Sequence, residues 1–358
     1  MPDTPPLDLS SDVRDLTAAL VDVESVSGGE KPLADMIEAA LAPLPHLSVV
    51  RDGDAVVART GGGRAERVVI AGHIDTVPVA GNLPSRVEDG LLYGCGTSDM
   101  KSGVAVALKL AAALERPSRD VSYVFYECEE VDASRNGLGR LSRTRPELLA
   151  GDFAVLMEPT GGEIEGGCQG TLRAEIATTG RRAHSARSWL GVNAIHAVAP
   201  VLDRLNSYRP REPVVDGLAY REGLNAVGIT GGVAGNVVPD ACVVTVNYRF
   251  APDRSLDEAQ DHIRELFDGY AVRFTDGAPG ARPGLTHPVA AAFAEMIGGE
   301  PRAKLGWTDV SLFSRLGVPA VNYGPGDPHV AHQQGEYVEL EKIVACERRM
   351  LRWLGTGA

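Results

Sequence analysis

The sequence predicts an α/β protein whose main domain has a mostly parallel sheet flanked by helices, with a smaller α+β domain inserted into it. Between about residues 47 and 157, apolar strand-like runs alternate with helical segments, which is typical of parallel sheets. After Gly170 the pattern changes to strands that alternate apolar and polar residues, as half-exposed strands do. The length of 358 residues suits two domains better than one.

The elements of the main domain follow from the spacing of apolar residues. Helical spacing over residues 12–44, interrupted by glycines at 28 and 29, predicts two helices. Apolar runs at 68–71, 121–126, 153–157 and 318–323 predict buried strands, and the Ala/Val/Leu-rich run at 102–114 predicts a helix. Three glycines at 61–63 predict a turn between two strands.

The inserted segment shows a β-α-β-β-α-β order. Strands are predicted at 171–178, 226–230, 241–250 and 271–274, with helices near 191–206 and 255–268. This order predicts a ferredoxin-like sandwich. The Gly/Pro-rich run at 277–284 is the expected linker from the inserted domain to the last part of the main domain. We therefore expect the main domain to comprise residues 1–170 and 285–358, with 171–284 inserted.

Composition excludes several classes of protein. The net charge of −13 argues against nucleic acid or an anionic membrane as a partner. Five cysteines without a CxxC motif indicate neither a disulfide framework nor a thiolate zinc site. The first residues lack the basic and apolar regions of a signal peptide, and the apolar runs are too short for a membrane span. A cytoplasmic location is the simplest expectation.

Histidines and acids follow several predicted strands. His73 and Asp75 emerge on the same face where the strand at 68–71 ends, because residues i and i+2 of extended backbone point the same way. The other residues that follow predicted strands are Glu127, Glu129, Glu130, Glu158, His329 and His332, and Asp99 lies just before the predicted helix at 102–114. Ligands of open α/β sheets bind beyond the carboxyl ends of the strands, so five distant segments predict one metal site.

Simpler interpretations exist for each residue alone. An acid after a strand is more often a turn or helix-cap residue, and Asp99 could merely cap the helix that follows it. His329 lies close enough to His332 to compete for the same assignment. The joint pattern of five segments favours the metal site. A dinucleotide loop and a serine nucleophile elbow are unsupported, since GxGxxG is incomplete and GxSxG is absent.

Long motifs carry a family resemblance. These are GHIDTVPVAGNLPSR, YGCGTSDMKSG, FYECEE, EPTGGEIEGGCQGTLR, RAHSARSWLGVNAIH, GGVAGNVVPD, NYRFAPDRS and GWTDVSLFSRLGVPAVNYGPGDPHVAH. Over essentially its whole length, the chain resembles the di-zinc aminoacylase/carboxypeptidase family of metallohydrolases. The resemblance implies a zinc-exopeptidase-like catalytic domain in 1–170 and 285–358, and a lid and dimerisation domain in 171–284.

The resemblance implies two zinc ions, with cobalt or manganese as an alternative at the second position. His73 and Glu158 would bind one ion, Glu130 and His332 the other, and Asp99 would bridge them. It also implies a cis peptide bond after Asp99.

Catalytic roles are implied for three further residues. Glu129 matches the general acid/base and Asp75 matches the acid behind the His73 ligand. His184, which would otherwise be taken for a surface-loop residue, matches a histidine donated to the active site of a partner subunit. A homodimer through the lid domain is therefore expected.

Substrate contacts are implied at Arg249, Asn236 and Thr308, where a guanidinium suits a carboxylate. The expected reaction is hydrolysis of the amide of an N-succinylated diamino acid that carries three carboxylates. The metal ligands cannot separate this from removal of an acetyl group or from carboxypeptidase activity. The lid and the Gly306-Trp307-Thr308-Asp309 segment favour the succinylated substrate. A binding protein that has lost catalysis is a distant alternative, disfavoured because Glu129 is present.

Overall fold

A computed structural model describes residues 5–355 of the 358-residue chain. In these residues the α-helices are α1 Val13–Val21, α2 Lys31–Leu41, α3 Ser102–Ala113, α4 Gly137–Thr144, α5 Ala199–Ser207, α6 Leu256–Leu266, α7 Pro288–Ile297, α8 Val310–Arg315 and α9 Leu340–Leu354. None of the helices in this range has the length and apolarity needed to cross a membrane.

The strands in the same range are β1 Leu47–Asp52, β2 Ala55–Thr60, β3 Arg67–His73, β4 Arg86–Glu88, β5 Leu91–Tyr93, β6 Asp120–Tyr126, β7 Phe153–Leu156, β8 Glu165–Gly166, β9 Gly170–Thr179, β10 Ala183–His184, β11 Val214–Val215, β12 Leu218–Ala219, β13 Gly223–Gly231, β14 Val237–Val238, β15 Ala241–Phe250, β16 Ala271–Ala278, β17 Arg302–Ala303, β18 Ala320–Asn322 and β19 Tyr337–Glu339.

Contacts divide the chain into two compact units. The first contains the residues up to Gly166, Pro283–Arg302 and the residues from Leu312 onward, and the second contains Gly167–Arg282 and Ala303–Ser311. The functional division into a catalytic and a lid domain stays a prediction.

The first unit is built on a mixed sheet with the strand order β1-β2-β6-β3-β7-β18-β8-β17. The neighbours β6, β3, β7 and β18 run parallel, whereas β1, β2 and β8 pair antiparallel. Every residue of β6 and of β7 is buried, which explains their continuous apolar character. The predicted α/β class, with a mostly parallel sheet flanked by helices, is confirmed.

Helices α1, α3 and α9 pack with one another and belong to the same hydrophobic core as the sheet. Gly103 at the start of α3 allows a close approach to the end of β7, because a Cβ atom there would lie 2.1 Å from the carbonyl oxygen of Met157. The Asp99 turn, just before α3, is therefore held beside the carboxyl end of the parallel strands.

The second unit contains a four-stranded antiparallel sheet in the order β13-β15-β9-β16. With α5 and α6 this is the predicted β-α-β-β-α-β arrangement. A capping box starts α6, in which the Ser255 hydroxyl accepts from the Glu258 amide and the Glu258 carboxylate accepts from the Ser255 amide. Strand β13 lies at the edge of this sheet, and its residues from Asn225 to Gly231 are exposed.

One prediction of local structure is wrong, and one helix was not predicted. The helix expected near 191–206 begins only at Ala199, because Asn193 uses its side chain to accept from the amides of Ile195 and His196 in an irregular turn. Helix α4 was not predicted, although Asn136 caps it by accepting from the amide of Gly139. Its short sequence, GLGRLSRT, holds only two large apolar residues.

Candidate metal centre

The parallel strands of the first unit deliver the candidate ligands to one place. His73 is the last residue of β3, Glu129 and Glu130 follow β6, and Glu158 follows β7. Asp99 lies in the turn before α3, and His332 lies in the loop between β18 and β19. The predicted gathering at the carboxyl ends of the strands is therefore what the fold produces.

Three groups of these residues could hold a metal ion. The groups are His73 with Glu129 and Glu130, His73 with Asp99 and Glu158, and Asp99 with Glu130 and His332, each with donor atoms within 4.8 Å of one another. Imidazole nitrogens and carboxylate oxygens are the donors that zinc and similar divalent metals take. The donor set therefore fits a metal centre with adjacent positions that share ligands.

Asp99 occupies the middle of the centre. Its Oδ1 atom lies 3.1 Å from Nε2 of His73, and its Oδ2 atom lies 3.3 Å from Nε2 of His332. Nε2 of His332 also lies 2.7 Å from Oε1 of Glu130. One carboxylate thus faces two imidazoles with different oxygens, which is the arrangement that a bridging ligand requires. The peptide bond between Asp99 and Met100 is cis, as the resemblance implies.

Charge is concentrated at this centre. Hydrogen bonds with Asp99 and Glu130 raise the pKa of His332 to about 10. Burial alone would raise the pKa of Asp99, but its hydrogen bonds with His332 and His73 hold the pKa well below its usual range. The Asp99 carboxylate therefore stays ionised in the middle of the centre, where its negative charge favours a cation.

Asp75 ties the ligand-bearing loops together. Its Oδ1 atom accepts from the Glu129 amide at 3.0 Å, and its Oδ2 atom accepts from the Glu130 amide at 3.1 Å and from the Ser27 hydroxyl at 2.7 Å. The same carboxylate lies 3.4 Å from Nδ1 of His73, the ring atom turned away from Asp99. Asp75 is fully buried. It is placed to orient both the imidazole and the paired glutamates.

Sequence reasoning missed Glu336. Its buried carboxylate accepts from the backbone amides of Gly96, Ser98 and Asp99 at 3.2, 2.8 and 3.0 Å. Burial raises its pKa to about 7. The available signal was an acid four residues after His332. The contact positions the Asp99 turn.

Glu30 was also missed. Its Oε1 atom accepts from the amide of Cys128 at 3.1 Å, and its Oε2 atom accepts from the amide of Gly28 at 2.7 Å. Cys128 has the left-handed φ of 58°, which is uncommon for a residue with a side chain. The buried Glu30 carboxylate thus holds the bend that sends Glu129 and Glu130 out of the sheet.

The remaining predicted site residues belong to the second unit. His184 pairs with Val237 in the short ladder of β10 and β14, and the amide of Ser185 donates to the carbonyl oxygen of Asn236 at 2.9 Å. His184 and Asn236 are therefore neighbours within this unit. Arg249 lies exposed near the end of β15, and Thr308 is buried. Their predicted contacts with substrate remain predictions.

A model of peptidase family M20/M25/M40 matches residues 69–355, which include the whole candidate centre. The chain belongs to this family. The family identifies it as a metallohydrolase, in agreement with the predicted class of enzyme.

Two relatives are similar over nearly their full length. A Mycobacterium tuberculosis protein named DapE is 57% identical over 352 residues, which cover 98% of this chain and 99% of the relative. A succinyl-diaminopimelate desuccinylase of Corynebacterium glutamicum is 51% identical over 350 residues and 95% of each chain. Among solved structures, a tripeptidase from Staphylococcus aureus superposes with a TM-score of 0.79 at 21% identity, covering 98% of both chains. That structural likeness shows the fold.

Proposed function

We propose that this chain hydrolyses N-succinyl-L,L-2,6-diaminopimelate to succinate and L,L-2,6-diaminopimelate, a step that serves lysine and cell-wall precursor synthesis. The observation that carries the chemistry is the Asp99 carboxylate between His73 and His332, with Glu130 and Glu158 beside them. The choice of substrate rests on the name of the C. glutamicum relative at 51% identity.

The proposed metal is zinc at two positions. His73 and Glu158 would hold one ion, Glu130 and His332 the other, and Asp99 would bridge them, with cobalt or manganese as an alternative at the second position. When bound, such a metal pair polarises an amide carbonyl and makes a water molecule more acidic. Asp75 supports this assignment, because it fixes the face that His73 turns towards the centre.

Glu129 is the proposed general acid/base. Its backbone amide is held by Asp75, and its side chain belongs to the group formed with His73 and Glu130. A carboxylate in this place can take a proton from water and give it to the leaving amine. Glu130, the next residue, is the proposed ligand, so adjacent glutamates have different tasks.

Substrate binding is proposed for the second unit, where His184 would bind the developing oxyanion. Arg249 would bind a substrate carboxylate, with Asn236 and Thr308 as further contacts. His184 is exposed, and its Nδ1 atom accepts from the Ala186 amide, so its Nε2 atom is the one available to donate.

A homodimer is proposed through the same unit. Strand β13 is an edge strand with unpaired backbone groups on one side, and its side chains Val227 and Ile229 are 60% and 56% exposed. Pairing with the same strand of a second copy would cover both. A cytoplasmic location is proposed with it, in keeping with a biosynthetic role and with five free cysteines.

The decisive experiment uses metal-stripped protein with and without added zinc. Turnover of N-succinyl-L,L-diaminopimelate and of N-acetylornithine is measured. Zinc-restored hydrolysis of the succinyl substrate alone supports the proposal. Hydrolysis of the acetyl substrate instead would support the metal centre but would favour the deacetylase alternative over the desuccinylase. If the protein binds two metals and turns over neither substrate nor a peptide, the binding-protein alternative replaces it.

Glu129→Gln separates the chemistry from metal binding. We expect this variant to keep both metals and to lose about 10²–10⁴-fold in kcat. Glu88→Gln is the matched control, because Glu88 is an exposed carboxylate on β4 of the same unit. Full activity of Glu129→Gln would remove Glu129 from the mechanism.

A further inference from the structure

A cavity lies in the first unit, at the end of the sheet opposite the metal centre. It has a volume of about 650 Å³ and is lined by Arg59 and Arg67 from the sheet, by Arg116 and Glu115 after α3, and by His46 and Ser48 near the start of β1. Arg67 begins β3 and His73 ends it, so the strand separates the two sites by roughly 20 Å at about 3.3 Å per residue. The proposed reaction uses none of these lining residues.

The lining is basic in an acidic protein. Three guanidinium groups face one carboxylate, Glu115, so the lining carries a net charge of +2 with His46 neutral, whereas the whole chain carries −13. Within residues 5–355, neither Arg59 nor Arg116 forms a salt bridge. A cluster of cations against the overall charge needs a local explanation.

Neutral groups hold Arg67 and Arg59 in place. Arg67 donates to the carbonyl oxygens of Thr60 and Val121 at 2.9 and 3.2 Å, and Arg59 donates to the hydroxyl of Ser122 at 3.2 Å. These bonds fix the direction of the guanidinium groups without neutralising their charge. The cavity wall is therefore built in advance, which reduces the entropy lost when a ligand binds.

Asp120, the carboxylate behind Arg67, is largely occupied. Its Oδ1 atom accepts from the amide of Gly62 at 2.7 Å, and its Oδ2 atom accepts from the amide of Arg64 at 3.0 Å, whereas the nearest nitrogen of Arg67 is 3.6 Å away. Burial lowers the pKa of Arg67, and the charge of Arg59 lowers it further. The positive charges of Arg59 and Arg67 are thus close together, and Asp120 neutralises them only in part.

From this cavity we propose that the chain has a second binding site, separate from the metal centre, for a small anionic molecule with several carboxylate or phosphate groups. Planar guanidinium groups bind carboxylates and phosphates through paired hydrogen bonds, and three of them suit more than one acidic group. The volume lies in the range of small-molecule pockets, so a metabolite fits better than a single small ion. Ser48 and His46 also line the cavity, although Nε2 of His46 already forms a hydrogen bond with the carbonyl oxygen of Ala111 at 2.9 Å.

The test is calorimetric titration of the metal-loaded full chain with tricarballylate and with inorganic phosphate, at constant ionic strength. The variant is Arg59→Gln combined with Arg116→Gln, which leaves Arg67 and its backbone contacts in place. The matched control is Arg348→Gln, because Arg348 is exposed on α9 and does not line the cavity. Melting temperature with and without each probe gives a second readout.

We expect at least one probe to bind the unaltered chain and the Arg348→Gln variant equally, and to bind the double variant about tenfold or more weakly. The probe that binds more tightly identifies carboxylate or phosphate as the preferred group. Equal affinity in the double variant, absence of binding to the unaltered chain, or an equal loss in Arg348→Gln would each overturn the site. None of these results depends on turnover, so failure here leaves the proposed reaction untouched.

Discussion

Replacing Asp75 by Asn tests whether this buried carboxylate organises the metal centre. The carboxylate receives three hydrogen bonds, from the amides of Glu129 and Glu130 and from the hydroxyl of Ser27, and it lies 3.4 Å from the His73 ring. An asparagine has one acceptor oxygen and one NH₂ group. Whichever way the amide turns, the NH₂ group must face at least one backbone N–H, so a contact between donor and acceptor becomes one between two donors.

The magnitude follows from these contacts. A hydrogen bond to a charged group contributes about 1.5–3 kcal/mol, and leaving a buried partner unsatisfied costs about the same. A loss of about 1.4 kcal/mol is tenfold in an equilibrium constant. If the loss falls on the metal-loaded state, Asp75→Asn should bind metal about 10–100-fold more weakly, which is the range found for partners behind metal ligands. Ser27→Ala removes one of the three bonds without bringing two donors together, so its effect on metal affinity should lie at the low end of this range, about tenfold.

Metal affinity is measured by competition with a chromophoric chelator, and circular dichroism establishes that each variant is folded. We expect the unaltered chain to bind metal most tightly, Ser27→Ala less tightly and Asp75→Asn most weakly. If Asp75→Asn is folded and holds metal as tightly as the unaltered chain, the carboxylate does not organise the centre, and the reasoning from its contacts fails.

Three further predictions concern other parts of the chain. Asp120 is buried, which would raise its pKa, but hydrogen bonds from the amides of Gly62 and Arg64 lower it overall, so its stabilisation is present above about pH 4 and is lost as the pH falls below that. Asp120→Asn should therefore lower the melting temperature at pH 7, and the difference in melting temperature between the unaltered chain and this variant should become smaller as the pH falls. A difference that does not change with pH would contradict this. If the proposed dimer forms through β13, Ile229→Glu should sediment as a monomer where the unaltered chain sediments as a dimer, with an unchanged circular dichroism spectrum; a variant that is still dimeric would exclude β13 as the contact. His184→Ala should lower kcat by about 10²–10³-fold with metal content unchanged; unaltered kcat would exclude the oxyanion role.

Most of the fold and the ligand cluster could be predicted because both depend on strong local signals. The fully buried strands β6 and β7 appear in the sequence as continuous apolar runs, and the acids that follow them mark the carboxyl edge of the sheet. The short strand β18 was recognised on the same grounds. These signals can be recognised from the residues of a single segment, together with the general rule that ligands bind beyond the carboxyl ends of parallel strands.

The positioning contacts could not be predicted because they join distant segments. Glu336 binds amides more than 230 residues earlier in the chain, and Glu30 binds an amide 98 residues later. No periodicity or motif relates such pairs. The cavity lined by Arg59, Arg67 and Arg116 was missed for the same reason, because it joins separate segments and each arginine alone looks in the sequence like an ordinary surface charge.

The position of His332 along the chain determines when, during synthesis of the protein, the metal centre can be completed. The other candidate ligands lie between His73 and Glu158, whereas His332 and Glu336 follow the whole second unit. During translation, the early ligands leave the ribosome well over a hundred residues before the last one. The closure of so long a loop must precede the final arrangement around Asp99. A nascent or truncated chain would thus present an incomplete set of donors, and capture of metal in its final form should follow synthesis of the last segment.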